Sequence, residues 1–232
     1  MASGQLPVVP AHLTMPTLII SDLHLGSNFC QYDKLRAWLE DLPDGVDLVL
    51  NGDVVHAKHS DFVEEHLALL GDLRRMAETR RIVWVEGNHE KHHNSLDRGC
   101  IEYVPWHRIG PDLVVAHGHH FEARGFLALI SFSVFRQIYK LHRRLGGPPM
   151  HVARYARQFP VLFSVFRNAI TRNAVRFARR HDARTVVCGH THFSEERALD
   201  GVRYFNTGSW TELPSSCLFV DDKTIELREI TT

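Results

Sequence analysis

The chain has 232 residues, 44% of them hydrophobic and 23% charged, with 27 basic and 27 acidic side chains in balance. That length suits one buried α/β domain with room for an insertion, and the composition is ordinary for a globular protein in water. No apolar run of about 18 residues occurs, which excludes a membrane-spanning helix; four scattered cysteines with no Cys-x-x-Cys pair exclude a disulfide framework and point to reduced thiols in the cytosol.

At the N-terminus, residues 1–15 have no basic start and their apolar residues are broken by prolines, so no secretory signal is expected. Five apolar runs then predict buried strands, each ending abruptly in residues able to bind a metal. Thr17–Ile20 runs into Ser-Asp-Leu-His, Asp47–Leu50 into Asn-Gly-Asp, and Ile82–Val85 into Glu-Gly-Asn-His. Leu113–Ala116 runs into His-Gly-His-His, and Thr185–Cys188 into Gly-His-Thr-His. Between the first strands, Leu35, Trp38, Leu39 and Leu42 mark one helix face. A second helix is expected to begin at Asp61, with Glu64 completing a capping box, and to run towards Arg80. Alternating strands and helices imply a largely parallel inner sheet, whose reactive edge lies at the strands' carboxyl ends. Near the C-terminus the pattern turns antiparallel: Arg197–Leu199 and Val202–Phe205 flank Asp200-Gly201, a pair suited to a type I′ turn, and Cys217–Val220 and Thr224–Glu229 flank a second turn.

The balanced net charge conceals an asymmetry. Between Ala123 and His181 there are twelve Lys or Arg residues, no Asp or Glu, and seven of the thirteen Phe residues. Apolar residues there recur at helical spacing, so two or three helices are expected between the fourth and fifth core strands, broken at Gly146-Gly147-Pro148-Pro149. Charge runs are commonly solvated helix faces. The aromatic content points further, to an anionic and partly apolar partner such as a membrane surface. It fits lipid better than nucleic acid, whose phosphate contacts are polar.

One Asp-x-His would carry little. The conjunction decides: Asp22-x-His24, Gly52-Asp53, Gly87-Asn88-His89-Glu90, His117-Gly118-His119 and Gly189-His190-x-His192 each follow a predicted strand. This set resembles the calcineurin-like metallophosphoesterase family from Thr17 to about Trp210. The resemblance implies a four-layer α/β sandwich, two central β-sheets flanked by helices, forming one domain over residues 1–232 with an inserted helical cap at about 124–180. It also implies two divalent ions, manganese first with zinc or iron as alternatives. Asp22, His24, Asp53 and His192 would hold one; Asp53, Asn88, His117 and His190 would hold the other, with Asp53 bridging. Imidazole, carboxylate and amide donors suit such ions, and a bridging carboxylate offsets their repulsion. His89 resembles the family's catalytic histidine, with Glu90 orienting and charge-stabilising it or, alternatively, forming an ordinary loop salt bridge. His56 stands where many relatives carry a second acid. His92, His93 and His107 are read as loop residues, His119 and His120 as structural, and Asn206 to Trp210 as a structural turn.

Within the family, Ser-Asp-Leu-His-Leu-Gly at 21–26, the basic insertion and Asn-Thr-Gly-Ser-Trp at 206–210 resemble the branch around UDP-2,3-diacylglucosamine diphosphatase, which acts in lipid A biosynthesis at the cytoplasmic membrane face. That implies a lipid-linked phosphoester substrate, a cytoplasmic location peripheral to the inner membrane, and substrate contacts from Arg124, Phe132, Arg136 and Arg157. The branch carries Arg where this chain has His89. Gly-Asn-His-Glu is closer to generic phosphoesterases, which keeps open another lipid-linked or soluble phosphomonoester or phosphodiester. A non-catalytic scaffold on the same fold is the reading from another class, and the full set of ligand positions argues against it.

Overall fold

Alternation along the strands dictates the layering. The protein is seen here in a computed structural model that describes residues 15–56, 63–90, 96–122 and 137–231. In the first sheet, β1 (Thr17–Ile20), β2 (Asp47–Asn51) and β3 (Ile82–Val85) turn Leu18, Ile20, Leu48, Leu50, Ile82 and Trp84 to one side. There they meet Leu35 and Leu39 of α1 (Tyr32–Glu40) and Leu69, Leu70 and Leu73 of α2 (Glu64–Met76). The intervening Ile19, Val49, Val83 and Val85 face the other way, onto Leu113, Val115, Val187 and Phe205 of a second sheet. The far side of that sheet, with Val114, Val186, Cys188 and Tyr204, packs on Ile170, Ala174, Val175 and Ala178 of α5 (Pro160–Arg180). Helices, sheet, sheet and helix therefore form the four layers of a metallophosphoesterase sandwich.

Both sheets are mixed: the strands of the predicted core pair in parallel, and the C-terminal strands and the edge strand at His107–Ile109 add the antiparallel pairs. In the first, β4 (Glu102–Val104) extends the parallel run β1–β2–β3, while β10 (Ser215–Val220) and β11 (Ile225–Ile230) add antiparallel strands beyond β1. The second sheet has the order β5-β6-β7-β9-β8, from β5 (His107–Ile109), β6 (Leu113–Val115), β7 (Thr185–Cys188), β8 (Glu195–Leu199) and β9 (Val202–Asn206). Asp200 and Gly201 both have positive φ, 51° and 77°, as the type I′ turn between β8 and β9 requires. The three-residue strands β4 and β5 are too short to leave a periodic signal, and His107, read as a loop residue, lies in β5 paired with Val115.

The second helix also departs from expectation. Its first residue is Glu64 and its N-cap is Val63, without a side-chain cap. Glu64 therefore sits at the position nearest the positive end of the helix dipole rather than at the capping-box position; Asp61 lies outside the described residues. The basic segment between β6 and β7 is helical at residues 137–144 (α3), in α4 (Val152–Ala156) and in α5, with the expected break between α3 and α4. Its last part is not a cap: from Ile170 onward α5 is the outer layer of the second sheet. The four cysteines are free, and no described helix is long and apolar enough to cross a membrane.

Candidate metal centre

Parallel pairing of β1 with β2 and β3, and of β6 with β7, brings five strand ends to one edge. Short backbone hydrogen bonds then hold the segments that follow. Asp22 N–H donates to the Gly52 carbonyl (3.0 Å), His24 N–H to that of Asp53 (3.0 Å), and Gly189 N–H to that of His117 (2.9 Å). The His190 amide reaches across to the Asp22 carboxylate at 2.9 Å, joining the two sheets at the site.

Asp22, His24, Asp53, His190 and His192 all have left-handed backbones, with φ between 50° and 67°. Only Asp182 and Asp200 share that conformation among the other described non-glycine residues. Each such residue costs on the order of 1–3 kcal/mol, so a cluster at one edge marks a functional site. Two glycines allow the close approach. At Gly52 (φ 78°) a Cβ would meet the His117 ring, and at Gly87 it would collide with the Asp53 backbone and carboxylate.

Two ligand groups result, and they share the Asp53 region. Asp22, His24 and His192 offer donor atoms that all lie within 4.8 Å of one another, and so do Asp53, His117 and His190. Asp53 Oδ2 lies 3.8 Å from His24 Nε2 and 3.4 Å from His117 Nε2, between the two groups. Buried Asp22 Oδ1, Asn88 Oδ1 and His117 Nε2 have no hydrogen-bond partner. An orphaned buried polar atom costs about 1–3 kcal/mol, and His117 Nε2, 3.4 Å from Asp53 Oδ2 and 3.9 Å from Asp22 Oδ1, is placed where a cation between those carboxylates would satisfy it.

The outer nitrogens are occupied. His117 Nδ1 donates to the Asn51 carbonyl at 2.8 Å, which leaves the Nε2 lone pair facing the site. His192 Nδ1 pairs with Thr211 Oγ1 at 3.2 Å, and His24 Nδ1 with His56 Nδ1 at 2.9 Å. Partners of this kind orient metal-binding imidazoles. His190 differs in that its Nε2 meets Glu122 Oε1 at 2.7 Å.

Electrostatics agree with this arrangement. Burial alone would raise the Asp22 carboxyl, but His192 and His117 overcome it and hold it well below the usual range. For Asp53 burial again opposes ionisation, and His117 and His24 prevail. Burial would lower His117, yet Asp53 and Asp22 push it up to about 10; burial dominates at His24, which falls to about 4.

The remaining predicted residues divide. The His89 ring is held by its Nδ1, 3.2 Å from the His56 carbonyl, with Nε2 3.8 Å from Asp53 Oδ2 and the side chain 29% exposed. Glu90 does not orient that ring. It is fully buried and accepts backbone amides of Gly87 (2.7 Å), Val54 (2.7 Å) and Asp53 (3.1 Å), clamping two site loops together. Arg157 forms an ion pair with Glu212 beside an open cavity of about 340 Å³ that Arg154 and Leu213 also line. Arg124, Phe132, Arg136, His92 and His93 lie outside the described residues. His119, His120 and Phe121 form a single 3-10 turn. Asn206 donates to the Gly189 carbonyl (2.6 Å) and to Thr191 Oγ1 (3.0 Å), and the Trp210 amide to the Asp22 carbonyl (3.1 Å). The segment from Asn206 to Trp210 is therefore a structural clamp on both ligand loops.

Sequence reasoning missed Glu122, Thr211 and His151. The first two act through one hydrogen bond each. His151 sits in the basic segment with no motif around it. Its ring stacks on His192 at 4.4 Å.

Comparison with known proteins now fixes the class. Residues 15–194 match the calcineurin-like phosphoesterase family. The chain belongs to that family, whose members are metal-dependent phosphoester hydrolases with a binuclear divalent centre. Similar solved structures include the phosphoesterase YfcE from E. coli, at 17% identity over 93% of this chain and 98% of that one (TM-score 0.47). The nuclease MPE from Pseudomonas putida is 13% identical over 91% and 87% (TM-score 0.44). Vps29 from Chaetomium thermophilum is 10% identical over 93% and 97% (TM-score 0.45). No curated protein matches the chain.

Proposed function

We propose that the protein uses two metal ions, manganese by preference, to hydrolyse a lipid-linked phosphoester or pyrophosphate. The preferred substrate is UDP-2,3-diacylglucosamine, cleaved to 2,3-diacylglucosamine 1-phosphate and UMP at the cytoplasmic membrane face. The observation that carries the hydrolytic reading is the pair of donor groups, Asp22–His24–His192 and Asp53–His117–His190, with Asp53 Oδ2 lying between His24 and His117. Bound there, the ions would supply Lewis acidity toward phosphoryl oxygens and lower the pKa of a water. Asp22, His24, Asp53 and His192 would hold one ion, and Asp53, Asn88, His117 and His190 the other. His89, the more exposed ring above Asp53, is placed to hydrogen-bond or protonate the leaving oxygen. Glu90 fixes the backbone that carries both Asp53 and His89.

Support for a lipid-linked substrate comes from the basic segment. Among the described residues, seven of the twelve large apolar side chains left exposed lie between 138 and 165, including Leu145 and Val161 at 79% each. They stand among Lys140, Arg143, Arg144 and Arg154, a combination suited to an anionic interface. A soluble phosphomonoester or phosphodiester is the second reading, favoured by His89 where the branch has Arg. A substrate panel with manganese separates them: the diacyl sugar nucleotide should turn over at least about tenfold faster than its deacylated form. Equal rates on both, together with ready cleavage of a chromogenic diester, would favour the second reading. No turnover of any phosphoester by protein carrying two ions would end both.

A further inference from the structure

His151 is the N-cap of α4, and its Nδ1 accepts the Ala153 amide at 3.4 Å. That bond places the ring proton on Nε2. The ring lies parallel to His192 (4.4 Å, 14°) and 5.2 Å from His24, so it stands against two of the three residues that surround the Asp22–His24–His192 ion position. One nitrogen from each of His24, His56 and His151 falls within the same 4.8 Å. The segment leading into His151 is fixed from outside: Tyr139 donates its hydroxyl to the Met150 carbonyl at 2.5 Å, and its ring packs on Tyr155 of α4 at 5.1 Å.

An imidazole with Nδ1 occupied and Nε2 protonated has no lone pair left for a cation and one donor left for an anion. His151 is 8% exposed, and its one hydrogen bond seen among the described residues is made by Nδ1. A ring donor beside this site is available to what enters it, and the group that must enter is an anion.

We propose that His151 is a substrate-binding residue whose Nε2–H donates to an oxygen of the phosphoryl group at the Asp22–His24–His192 end of the centre. The inference rests on the phosphohydrolase reading above and extends it. The helical segment then supplies a direct contact to the reacting group, in addition to any surface it offers to the rest of the substrate.

Two variants separate a donor from a packing ring. His151→Gln removes the ring but keeps an amide N–H the same number of bonds from Cα as Nε2; His151→Phe keeps a ring on His192 and removes the donor. Inorganic phosphate binding to manganese-loaded protein is measured by calorimetry, with metal content and KM for a chromogenic phosphodiester alongside. The expected result is two ions per chain in both variants. Phosphate affinity should fall about tenfold or more in His151→Phe, the scale of one hydrogen bond to a charged group, and stay within about threefold in His151→Gln. Wild-type phosphate affinity in His151→Phe, equal loss in both variants, or loss of an ion in either would overturn the proposal. Because phosphate binding is read without turnover, a wild-type protein that binds phosphate but cleaves no phosphoester would sink the hydrolase reading and leave the His151 comparison intact.

Discussion

The strand-end loops and the basic helical segment solve opposite problems. In the loops, buried carboxylates and imidazoles are held by left-handed backbones and amide clamps, and Asp22, His24, Asp53 and His117 are all at most 2% exposed. The helical segment changes character along its length. Val161 and Val165 in the first half of α5 are 79% and 57% exposed, whereas Ile170, Ala174 and Ala178 in its second half are completely buried against the second sheet. Candidate ligands are concentrated where the backbone has least freedom, and apolar surface is left exposed where packing against the sheet has not claimed it.

The sharpest way to break the first half of that comparison is Asp53→Ala. One residue lies between both ligand groups, so turnover should fall to background and metal content well below two per chain. A folded variant with two ions and normal turnover would remove Asp53 from its role. His89→Ala comes next, lowering kcat roughly a hundredfold with both ions retained, the scale of a positioned acid or charge-stabilising group. Metal loss in that variant would make His89 a ligand or a support.

Smaller effects sharpen the comparison. Thr211→Val removes the partner of His192 Nδ1 and should weaken metal binding about tenfold without unfolding the protein, as loss of an orienting contact does. Calorimetric titration with manganese reads it, and unchanged affinity would show that packing alone orients His192. Along α5, Ala174→Leu should cost about 1–3 kcal/mol by overpacking against the sheet, whereas Val165→Ser should stay within about 0.5 kcal/mol. Denaturant unfolding distinguishes them, and equal costs would dissolve the division of the helix.

The same contrast explains what the sequence made legible. Ligand positions are short motifs directly after apolar runs, and a strand end fixes where they go; β1, β3 and β7 have the bounds expected from their apolar runs. The Asp200-Gly201 turn was equally readable, because its residue types answer to one backbone geometry. Helical periodicity in the basic segment names a buried face without saying what buries it, so α5 was read as part of a cap although its second half covers the sheet. The family resemblance implies Glu90 as the partner that orients His89. Its carboxylate turns instead to amides from a loop more than thirty residues earlier, a contact that no local pattern announces. His151 was missed for the same reason.

The central claim, two ions held together by Asp53, is tested most directly by electron paramagnetic resonance of the manganese-loaded protein with metal content measured on the same sample. Two ions per chain with the spectrum of an exchange-coupled pair is the predicted result. One ion per chain, or two that give only the spectrum of isolated manganese, would contradict it.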